Sequence, residues 1–283
     1  MNFSYSEPTI IEWKEVNPEF VPHDRLPYDG SDGSDGSDGD ETHADDEEYR
    51  NIVFDFEEID EDYPITLRTK KSSTSESTGL TIWTSSQILS GYLIDNPHHV
   101  RGKRVLELGA GLGLCGIVAH KLGAHQVLAT DGDVDVLHNL RYNVQQNKND
   151  NDSQHLACQQ LVWGHALGEF TRRHRKQSVI LATDIFYSPA LVNTLWRTID
   201  HLLEHDGKFL LGFAQHSVSI EQVLDEANEW GFTWACPDIT ASCDDEEKDG
   251  EERGNGDEYF DDYTPNGNEF GYHVFHFKRM SYQ

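Results

Sequence analysis

The sequence predicts a single α/β domain in which a mostly parallel sheet is covered by helices on both faces. Short apolar strands alternate with amphipathic helices from residue 84 onward, and a glycine-rich turn directly follows the first of these strands. The length of 283 residues also fits one such domain better than two domains of about 150 residues each. Ligands of such sheets bind at the carboxyl ends of the strands, so we expect the functional residues there.

The elements follow one another in a regular order. Residues 52–56 and 65–69 are rich in β-branched and aromatic side chains and flank an acidic turn, which predicts a β-hairpin before the core. Apolar residues one turn apart predict a helix that starts with Thr84 or Ser85 as N-cap and ends before Asn96. The remaining pattern predicts strands at 104–108, 126–130, 160–162, 178–182, 208–213, 232–235 and 272–277, and helices at 114–122, 134–146, 190–203 and 220–229.

The negative charge is concentrated in two stretches. The formal net charge is −29. Residues 29–62 contain sixteen acidic residues against one base, and residues 238–262 contain twelve against two. These stretches carry 25 of the 29 excess charges, so the rest of the chain has the charge of an ordinary globular domain.

The low-complexity segments set the expected domain boundaries. Residues 24–49 include a repeated Gly-Ser-Asp sequence with nothing apolar to bury, which predicts a disordered linker. We therefore expect an N-terminal segment at 1–51 and a folded domain at 52–283, with an acidic disordered insert near 241–262. The basic run at 172–176 is predicted to be a solvated loop.

The composition also excludes several classes of protein. No apolar run approaches the about 18 residues that a membrane-spanning helix needs, and residues 1–16 lack the basic start and apolar core of a secretory signal. Four cysteines without paired spacing indicate a reducing compartment, so we expect the cytoplasm, with the nucleus as a second location. The negative charge disfavours contact with nucleic-acid phosphates. We expect a monomer that binds no membrane, no nucleic acid and no metal.

The glycine turn is the most informative motif. A strand runs into Gly109, Gly111 and Gly113 and then into a helix, so the backbone can approach a ligand where a side chain would block it. Asp131 closes the next strand, where its carboxylate can accept two hydrogen bonds from a ribose diol. Adenine dinucleotides and S-adenosylmethionine both contain adenosine, and the glycine spacing up to Gly116 also fits the dinucleotide fingerprint. The motif by itself leaves both ligands open.

Two features favour the methyl donor. Glu107 lies in the strand just before the turn, where its carboxylate can organise the turn and lie near the methionine ammonium group. The dinucleotide pattern does not require this acid. In addition, a helix leads into the first strand, an arrangement that is common in seven-strand methyltransferases.

From about residue 52 to residue 213 the sequence resembles the seven-strand protein methyltransferases related to calmodulin-lysine N-methyltransferase and the methyltransferase-like lysine enzymes. The motifs that carry the resemblance lie at 82–83, 106–113, 129–133, 140–147, 161–164 and 182–187. Part of it is also similar to a histone arginine methyltransferase branch of the group. The resemblance implies a Rossmann-like seven-strand sheet, S-adenosylmethionine as cofactor and protein-lysine N-methylation. Protein-arginine methylation is the alternative within the fold, and an NAD(P)-dependent oxidoreductase is the alternative of another class.

The same resemblance implies a set of cofactor-binding residues. They are Trp83, Gly109, Ala110, Gly111, Asp131, Trp163 and Thr183, and the position of Glu107 before the turn adds it to this set. Trp83 and Trp163 have a second interpretation as core anchors, because aromatic side chains bury large apolar areas wherever they lie. The family usually has an acidic residue where His165 stands here, so the family's polar adenine contact is not carried over to this position.

The acceptor side is predicted at the end of the fourth core strand. Asp184 and Tyr187 match the family's Asp-x-x-Tyr motif. A lysine amine has a pKa of about 10.4 and must lose its proton before it can accept a methyl group. A carboxylate beside the ammonium group would by itself hold that proton, so we assign Asp184 to positioning the target nitrogen. Tyr187 is assigned to a hydrogen-bonding or packing wall. Alternatively, Asp184 caps the next helix or binds loop amides. His216 is a further acceptor-side candidate, and the acidic excess favours a basic protein substrate.

Overall fold

A computed structural model describes residues 49–54, 56, 64–71, 78–148, 155–214, 217–237 and 272–280. The predicted acidic insert and the candidate His216 lie outside the described residues. So does the predicted linker at 24–49, except for Tyr49, which begins a strand. Among the described residues, no helix is long and apolar enough to cross a membrane.

The described residues form nine strands and six helices. The strands are β1 (Tyr49–Phe54), β2 (Ile65–Lys70), β3 (Arg104–Leu108), β4 (Gln126–Asp131), β5 (Leu156–Gln160), β6 (Gln177–Thr183), β7 (Leu203–Ala214), β8 (Phe232–Ala235) and β9 (Tyr272–Arg279). The helices are α1 (Thr84–Asp95), α2 (Leu114–Lys121), α3 (Val134–Gln146), α4 (Leu167–His174), α5 (Val192–Leu202) and α6 (Ile220–Glu229). Short 3₁₀ turns at Thr78–Leu80, Pro97–His99 and Pro189–Leu191 complete the list.

Seven strands form one sheet in the order β5-β4-β3-β6-β7-β9-β8. The strands from β5 to β7 are parallel, and β9 runs antiparallel to both of its neighbours. The chain leaves β3 toward β4 and β5 and then returns to β6, so the strand order reverses between β3 and β6. Sheets of this kind bind ligands at the carboxyl ends of the strands beside such a reversal. The predicted fold class is confirmed.

Helices cover both faces of the sheet. On one face, α4, α5 and α6 pack on a core centred on Trp196, whose indole lies 5.0–5.8 Å, between ring centroids, from four phenylalanines: Phe186, Phe209, Phe232 and Phe277. On the other face, α1, α2 and α3 pack on an aliphatic core. Burying a side chain of this kind contributes about 1.5–3 kcal/mol, so the two cores hold the strand ends in fixed positions.

The predicted hairpin, β1 and β2, docks on α3 through a ladder of asparagine side chains. Asn139, Asn143 and Asn147 are one helical turn apart and therefore lie on one face of α3. Asn143 accepts a hydrogen bond from the Arg68 backbone N–H at 2.7 Å, and Asn147 accepts one from that of Thr66 at 3.0 Å. All three amides also donate to carbonyls of the same two residues. The asparagines thus satisfy the edge of β2 as a neighbouring strand would.

One predicted strand was placed wrongly. The strand expected at 160–162 is β5, which spans Leu156–Gln160. It lies at the edge of the sheet and has the sequence Leu-Ala-Cys-Gln-Gln, in which only Leu156 is buried, so it carries no clear apolar alternation. The apolar residues that indicated a strand, Leu161 and Val162, follow β5, where Leu161 is buried in the core and Val162 is exposed. Strand β7 is also longer than the predicted 208–213.

Two helical predictions also need correction. The basic run at 172–176 is not all loop, because Arg172, Arg173 and His174 belong to α4. This helix buries Leu167 and Phe170 and exposes Arg172 and Arg173, whereas the His174 ring packs on Phe170. The amphipathic pattern is too short to stand out in the sequence. The helix predicted at 190–203 begins as a 3₁₀ turn and becomes α-helical at Val192.

Candidate functional site

The glycine turn between β3 and α2 adopts a backbone that other residues rarely reach. Gly109 and Gly111 have φ of +61° and +54°, in the left-handed region. A Cβ on Gly109 would lie 2.9 Å from Ile185 Cγ2 and 3.2 Å from Trp163 Cζ2. A Cβ on Gly111 would lie 3.2 Å from the carbonyl oxygen of Gly79. The turn is therefore a backbone cradle enclosed by the chain segments that follow β5 and β6 and by the Thr78–Leu80 turn.

Glu107 links the strand before this turn to the helix after it. Its side chain is buried, and its Oε2 accepts a hydrogen bond from the Gly116 backbone N–H in α2 at 2.9 Å. Burial raises the pKa of Glu107 to about 8, with a smaller contribution from the negative charge of Asp131, while the Gly116 bond opposes the shift. The carboxyl group joins β3 to α2, and the predicted contact with the methionine ammonium group stays a prediction.

Asp131 lies at the carboxyl end of β4, next to the turn. Its Oδ2 accepts a hydrogen bond from the Gly111 N–H and its Oδ1 accepts one from the Asp133 N–H, each at 3.1 Å. Burial raises the pKa of Asp131, and these hydrogen bonds oppose the shift. A carboxylate oxygen has two lone pairs, so each oxygen retains one acceptor position suited to a hydroxyl donor. The geometry fits the predicted ribose contact.

Trp83 lies at the surface, where its side chain is 40% exposed. Its indole Nε1 donates a hydrogen bond to the Thr78 carbonyl at 2.9 Å. This bond fixes the turn that places Gly79 against Gly111. The exposure of Trp83 argues against a core anchor, and its contacts place it at the border of the glycine cradle.

Trp163 and Tyr187 form an aromatic wall on the other side of the turn. Their ring centroids are 6.3 Å apart, and Trp163 packs over Gly109. The Trp163 Nε1 is buried and has no hydrogen-bond partner within the described part of the chain. Tyr187 is 52% exposed, and its pKa is raised by partial burial and then by Asp131. The wall thus presents apolar ring surface with two polar groups.

Asp184 is held where three elements meet. It follows β6 with φ +50°, unusual for a residue other than glycine. Its N–H donates to the Gly212 carbonyl at 3.0 Å, and its Oδ1 accepts from the Ala214 N–H at 2.9 Å. Its Oδ2 accepts a hydrogen bond from the Ser85 hydroxyl in the first turn of α1. Asp184 therefore binds a backbone amide, as its alternative role predicted, although that amide ends β7, and the helical segment that starts at Pro189 has no side-chain cap.

Ser85 is a residue that the sequence assigned to another role. The N-cap of α1 is Trp83, without a side-chain cap, so the prediction of Thr84 or Ser85 as N-cap is wrong. Ser85 lies inside the first turn, buried, with its hydroxyl directed to Asp184. The two residues are 99 positions apart, and no local spacing could have indicated this pair.

The other predicted positions lie near the glycine cradle or in the strands and turns that flank it. Thr183 ends β6 beside Gly212 of β7. Ala110 is buried, and its N–H donates to the Thr130 carbonyl at 2.9 Å. His165 is exposed on the turn after β5. Among the described residues, no group of three or more His, Cys, Asp or Glu side chains is arranged to hold a metal ion.

The chain has several relatives among characterised proteins. It is 36% identical over 147 residues to the protein-lysine N-methyltransferase EFM3 of Chaetomium thermophilum, covering 50% of this chain and 44% of that protein. It is 32% identical over 179 residues to the protein N-terminal and lysine N-methyltransferase EFM7 of Eremothecium gossypii, covering 56% and 67%. It is 36% identical over 130 residues to the protein N-lysine methyltransferase METTL21A of Xenopus tropicalis, covering 46% and 58%. The matched region thus spans about half the length of such relatives.

Solved structures support the fold. The Thermus thermophilus 16S rRNA N2 G1207 methyltransferase RsmC, solved with AdoMet and guanosine, aligns with a TM-score of 0.51 at 14% identity, over 82% of this chain and 51% of that chain. The crystal structure of SMU.776, solved as a complex with SAH, aligns with a TM-score of 0.53 at 13% identity, over 81% of this chain and 56% of that chain. At these identities the likeness concerns the fold alone.

The family follows from the sequence match. A family model described as lysine methyltransferase matches residues 63–230, more than half of the chain. This range includes the glycine turn, both aromatic residues of the wall and Asp184. The predicted family resemblance is confirmed: the chain belongs to the lysine methyltransferase family.

Proposed function

We propose that this chain is an S-adenosylmethionine-dependent protein-lysine N-methyltransferase. The observation that carries the proposal is the placement of two carboxylates on either side of one glycine cradle. In the sheet β3 lies between β4 and β6, so Asp131 at the end of β4 and Asp184 after β6 flank the turn that follows β3. One carboxylate suits a ribose and the other a basic acceptor, and family membership favours lysine as that acceptor.

The cofactor residues divide by the part of the ligand that they suit. S-adenosylmethionine, when bound, supplies an activated methyl group on a sulfonium. Asp131 accepts hydrogen bonds from the ribose hydroxyls, and the backbone of Gly109 and Gly111 permits close approach. Trp163 provides apolar surface for the adenine. The remaining proposed contacts, around the methionine end and the base of the cradle, are Trp83, Glu107, Ala110 and Thr183.

The acceptor side must orient an amine and remove its proton. Asp184 holds the target nitrogen in line with the methyl group, and orientation of this kind accounts for much of the rate gain in group transfer. A carboxylate alone would keep the amine protonated. The ring of Tyr187 shields one side of the amine from water, and this partial desolvation favours the neutral amine. The amine loses its proton to solvent as it enters the site, and its lone pair then attacks the methyl group.

Family membership favours lysine over arginine as the acceptor. A guanidinium group binds a carboxylate best through two parallel hydrogen bonds to both oxygens. Each oxygen of Asp184 accepts a hydrogen bond, one from Ala214 and one from Ser85, and retains a second lone pair. The carboxylate itself can therefore hold either acceptor, and the preference for lysine rests on the family.

Donor binding is tested by calorimetry with S-adenosylmethionine, S-adenosylhomocysteine and NADH. We expect the first two to bind, and Asp131→Ala to weaken both by more than tenfold because it removes the ribose acceptor. Asp135→Ala removes the same charge from an exposed position of α3 and is the matched control. Preferential binding of NADH would contradict the cofactor, and undiminished affinity of Asp131→Ala would contradict the ribose contact.

Methyl transfer is tested with tritiated S-adenosylmethionine in a cell extract. We expect label in one or a few protein bands, and mass spectrometry of those bands should place it on lysine. Asp184→Ala should abolish the label while donor binding persists. Label on arginine would favour the alternative acceptor, and full labelling by Asp184→Ala would remove its catalytic assignment.

We also propose that the acidic stretches attract a basic substrate. Tyr272, the first described residue after the second stretch, pairs with Ala214, whose N–H binds Asp184. On the other side, Tyr49 pairs with Lys70, next to Thr69, whose hydroxyl donates to Leu80 beside the glycine cradle. The second stretch and the part of the first that precedes Tyr49 therefore join the described chain at the carboxyl end of the core strands, where a negative field would concentrate cationic segments. The acids at 55–62 follow Phe54, which pairs with Ile65 at the other end of the hairpin.

Salt and deletion test this attraction. Removing residues 241–262 should slow labelling at low ionic strength and have little effect at high ionic strength, because salt screens long-range charge interactions. Replacing the segment with an uncharged linker of equal length controls for its bulk. Equal labelling by the deleted and full-length proteins at low salt would mean that the acid only solvates the chain.

The remaining assignments extend this proposal. We propose that the catalytic unit is the domain at 52–283 and that it acts as a monomer in the cytoplasm, with the nucleus as a second location. Light scattering of the purified protein checks the oligomeric state, and imaging of a tagged chain checks the location. A stable dimer, or a secreted chain, would contradict these assignments.

A further inference from the structure

The contacts of Asp184 form a clasp, by which we mean the hydrogen bonds that join Asp184, Ser85 and Ala214. Ser85 is contributed by α1, Asp184 by the residue after β6 and Ala214 by the end of β7. The Ser85 hydroxyl donates to Oδ2 and the Ala214 N–H donates to Oδ1, so both carboxylate oxygens are fixed by elements other than β6. Rotation of the carboxylate would break at least one of these bonds.

The clasp depends on close packing behind it. Ser85 is 1% exposed, and a Cβ on Gly212 would lie 2.9 Å from the Ser85 carbonyl oxygen. The backbone of α1 therefore lies directly against β7, which leaves the Ser85 hydroxyl little freedom to turn away. Asp184 itself has φ +50°, a conformation that persists only where the surroundings hold it.

We infer that Ser85 is a positioning residue for methyl transfer, one that sets the direction of the Asp184 carboxylate toward the acceptor. This inference rests on the proposed function of Asp184. Without the hydroxyl, Oδ2 loses a donor and the carboxylate can rotate about its bond to Cβ. The proposed donor contacts include Trp83 and Thr183, which are near the clasp in sequence, but they do not include Ser85 itself. The inference therefore separates the transfer rate from donor affinity.

The test compares Ser85→Ala with Ser90→Ala. Both serines are buried in α1, but the Ser90 hydroxyl binds the Cys115 sulfur at 3.6 Å and does not contact Asp184. We expect Ser85→Ala to lower the plateau rate of label transfer into the parent's labelled band by about tenfold, because bonds to charged groups contribute this much. Affinity for S-adenosylhomocysteine should stay within about twofold, and Ser90→Ala should transfer at the parent rate.

A double variant shows whether Ser85 acts through Asp184. If it does, adding Ser85→Ala to Asp184→Asn should cause no further loss, because the shared effect is already removed. Full transfer by Ser85→Ala, or the same fold-loss in both backgrounds, would overturn the inference. Titrating the extract separates the plateau rate from the half-saturating amount of acceptor.

Hydrogen exchange tests the clasp without any acceptor. The N–H groups of Asp184 and Ala214 are both bonded within the clasp region, so peptides that cover 183–188 and 212–214 should exchange faster in Ser85→Ala than in Ser90→Ala. Unchanged exchange would overturn the inference. If the parent protein transfers no methyl group at all, the proposed function fails, and this measurement alone decides whether Ser85 fixes Asp184.

Discussion

At the residue scale, the site depends on pairs that are close in space and distant in sequence. The Asp-x-x-Tyr motif placed Asp184 and Tyr187 at the end of a core strand, and the structure has them there. The sequence could not indicate Ser85 as the partner of Asp184, because a contact over 99 positions leaves no periodic pattern. Residue type and strand end were predictable, whereas the hydrogen bonds that orient the carboxylate were not.

Two glycines in helices provide a matched test of the support under the cradle. A Cβ on Gly116 would lie 2.5 Å from Glu107 Oε2, whereas one on Gly91 would meet nothing within 4 Å. In a helix, glycine to alanine normally stabilises by about 0.5–1 kcal/mol. We expect Gly91→Ala to raise the free energy of unfolding by that amount, and Gly116→Ala to lower it by about 1–3 kcal/mol through overpacking. Urea unfolding measures both, and equal effects would contradict the close contact.

The buried Glu107 predicts a pH dependence of stability. Its pKa is about 8 in the folded protein and 4.5 in the unfolded chain, so the folded state binds more protons between these values. The stability that the protein gains by burying Glu107 in its neutral form is fully present below pH 4.5 and is lost as the pH rises through 8. We expect Glu107→Gln to remove the part of the decline in unfolding free energy that occurs between pH 6.5 and 8. An identical pH profile for variant and parent would contradict a raised pKa.

At the scale of elements, strong periodicity was predictable and weak periodicity was not. The boundaries of α3, Val134–Gln146, were predicted correctly because Asp133 caps it and its buried residues recur at helical spacing. The edge strand β5 and the short helix α4 were missed or displaced because each buries only one or two apolar side chains. Their positions are set by neighbouring elements and not by their own sequences.

The asparagine ladder makes the hairpin dependent on α3. Asn143 is buried. Its side chain accepts a hydrogen bond from the Arg68 backbone N–H and donates to the carbonyls of Arg68 and Leu112. We expect Asn143→Ala to lower the free energy of unfolding by about 1–3 kcal/mol, because it leaves buried backbone groups without partners. Gln145→Ala, on the exposed side of the same helix, is the control. Faster hydrogen exchange in β2 of the Asn143 variant alone would identify the ladder as the cause, and equal stability would contradict it.

At the scale of the whole molecule, many basic residues lie at one end of the sheet, and Arg104, Arg173 and Arg279 among them pair with acidic side chains there. The basic residues at the start of β3 and around α4, and those at the end of β9, lie at the edge opposite the glycine cradle: Arg101, Lys103, Arg104, Arg172, Arg173, Arg175, Lys176, Lys278 and Arg279. The second acidic stretch and the part of the first that precedes Tyr49 join the described chain at the end that carries the cradle, whereas the acids at 55–62 lie between Phe54 and Ile65, which pair at the other end of the hairpin.

The last described strand completes the sheet. Strand β9 pairs with β7 on one side and β8 on the other, and its Phe275 and Phe277 are buried. We expect a chain that stops at residue 271 to lack a cooperative unfolding transition, because β7 and β8 would then have no common partner. Circular dichroism during thermal unfolding checks this, with a chain that stops at 280 as control. A cooperative transition near that of the control would contradict the role of β9.

The position of β9 also limits how far the sheet can fold during synthesis on the ribosome. Strands β3 to β7 can pair with one another as they emerge. The edges of β7 and β8 that pair with β9 stay unpaired until residues 272–279 have been synthesised. Unpaired strand edges are sites of aggregation. The long acidic stretch is translated during that interval, and its like charges would keep nascent chains apart until β9 arrives.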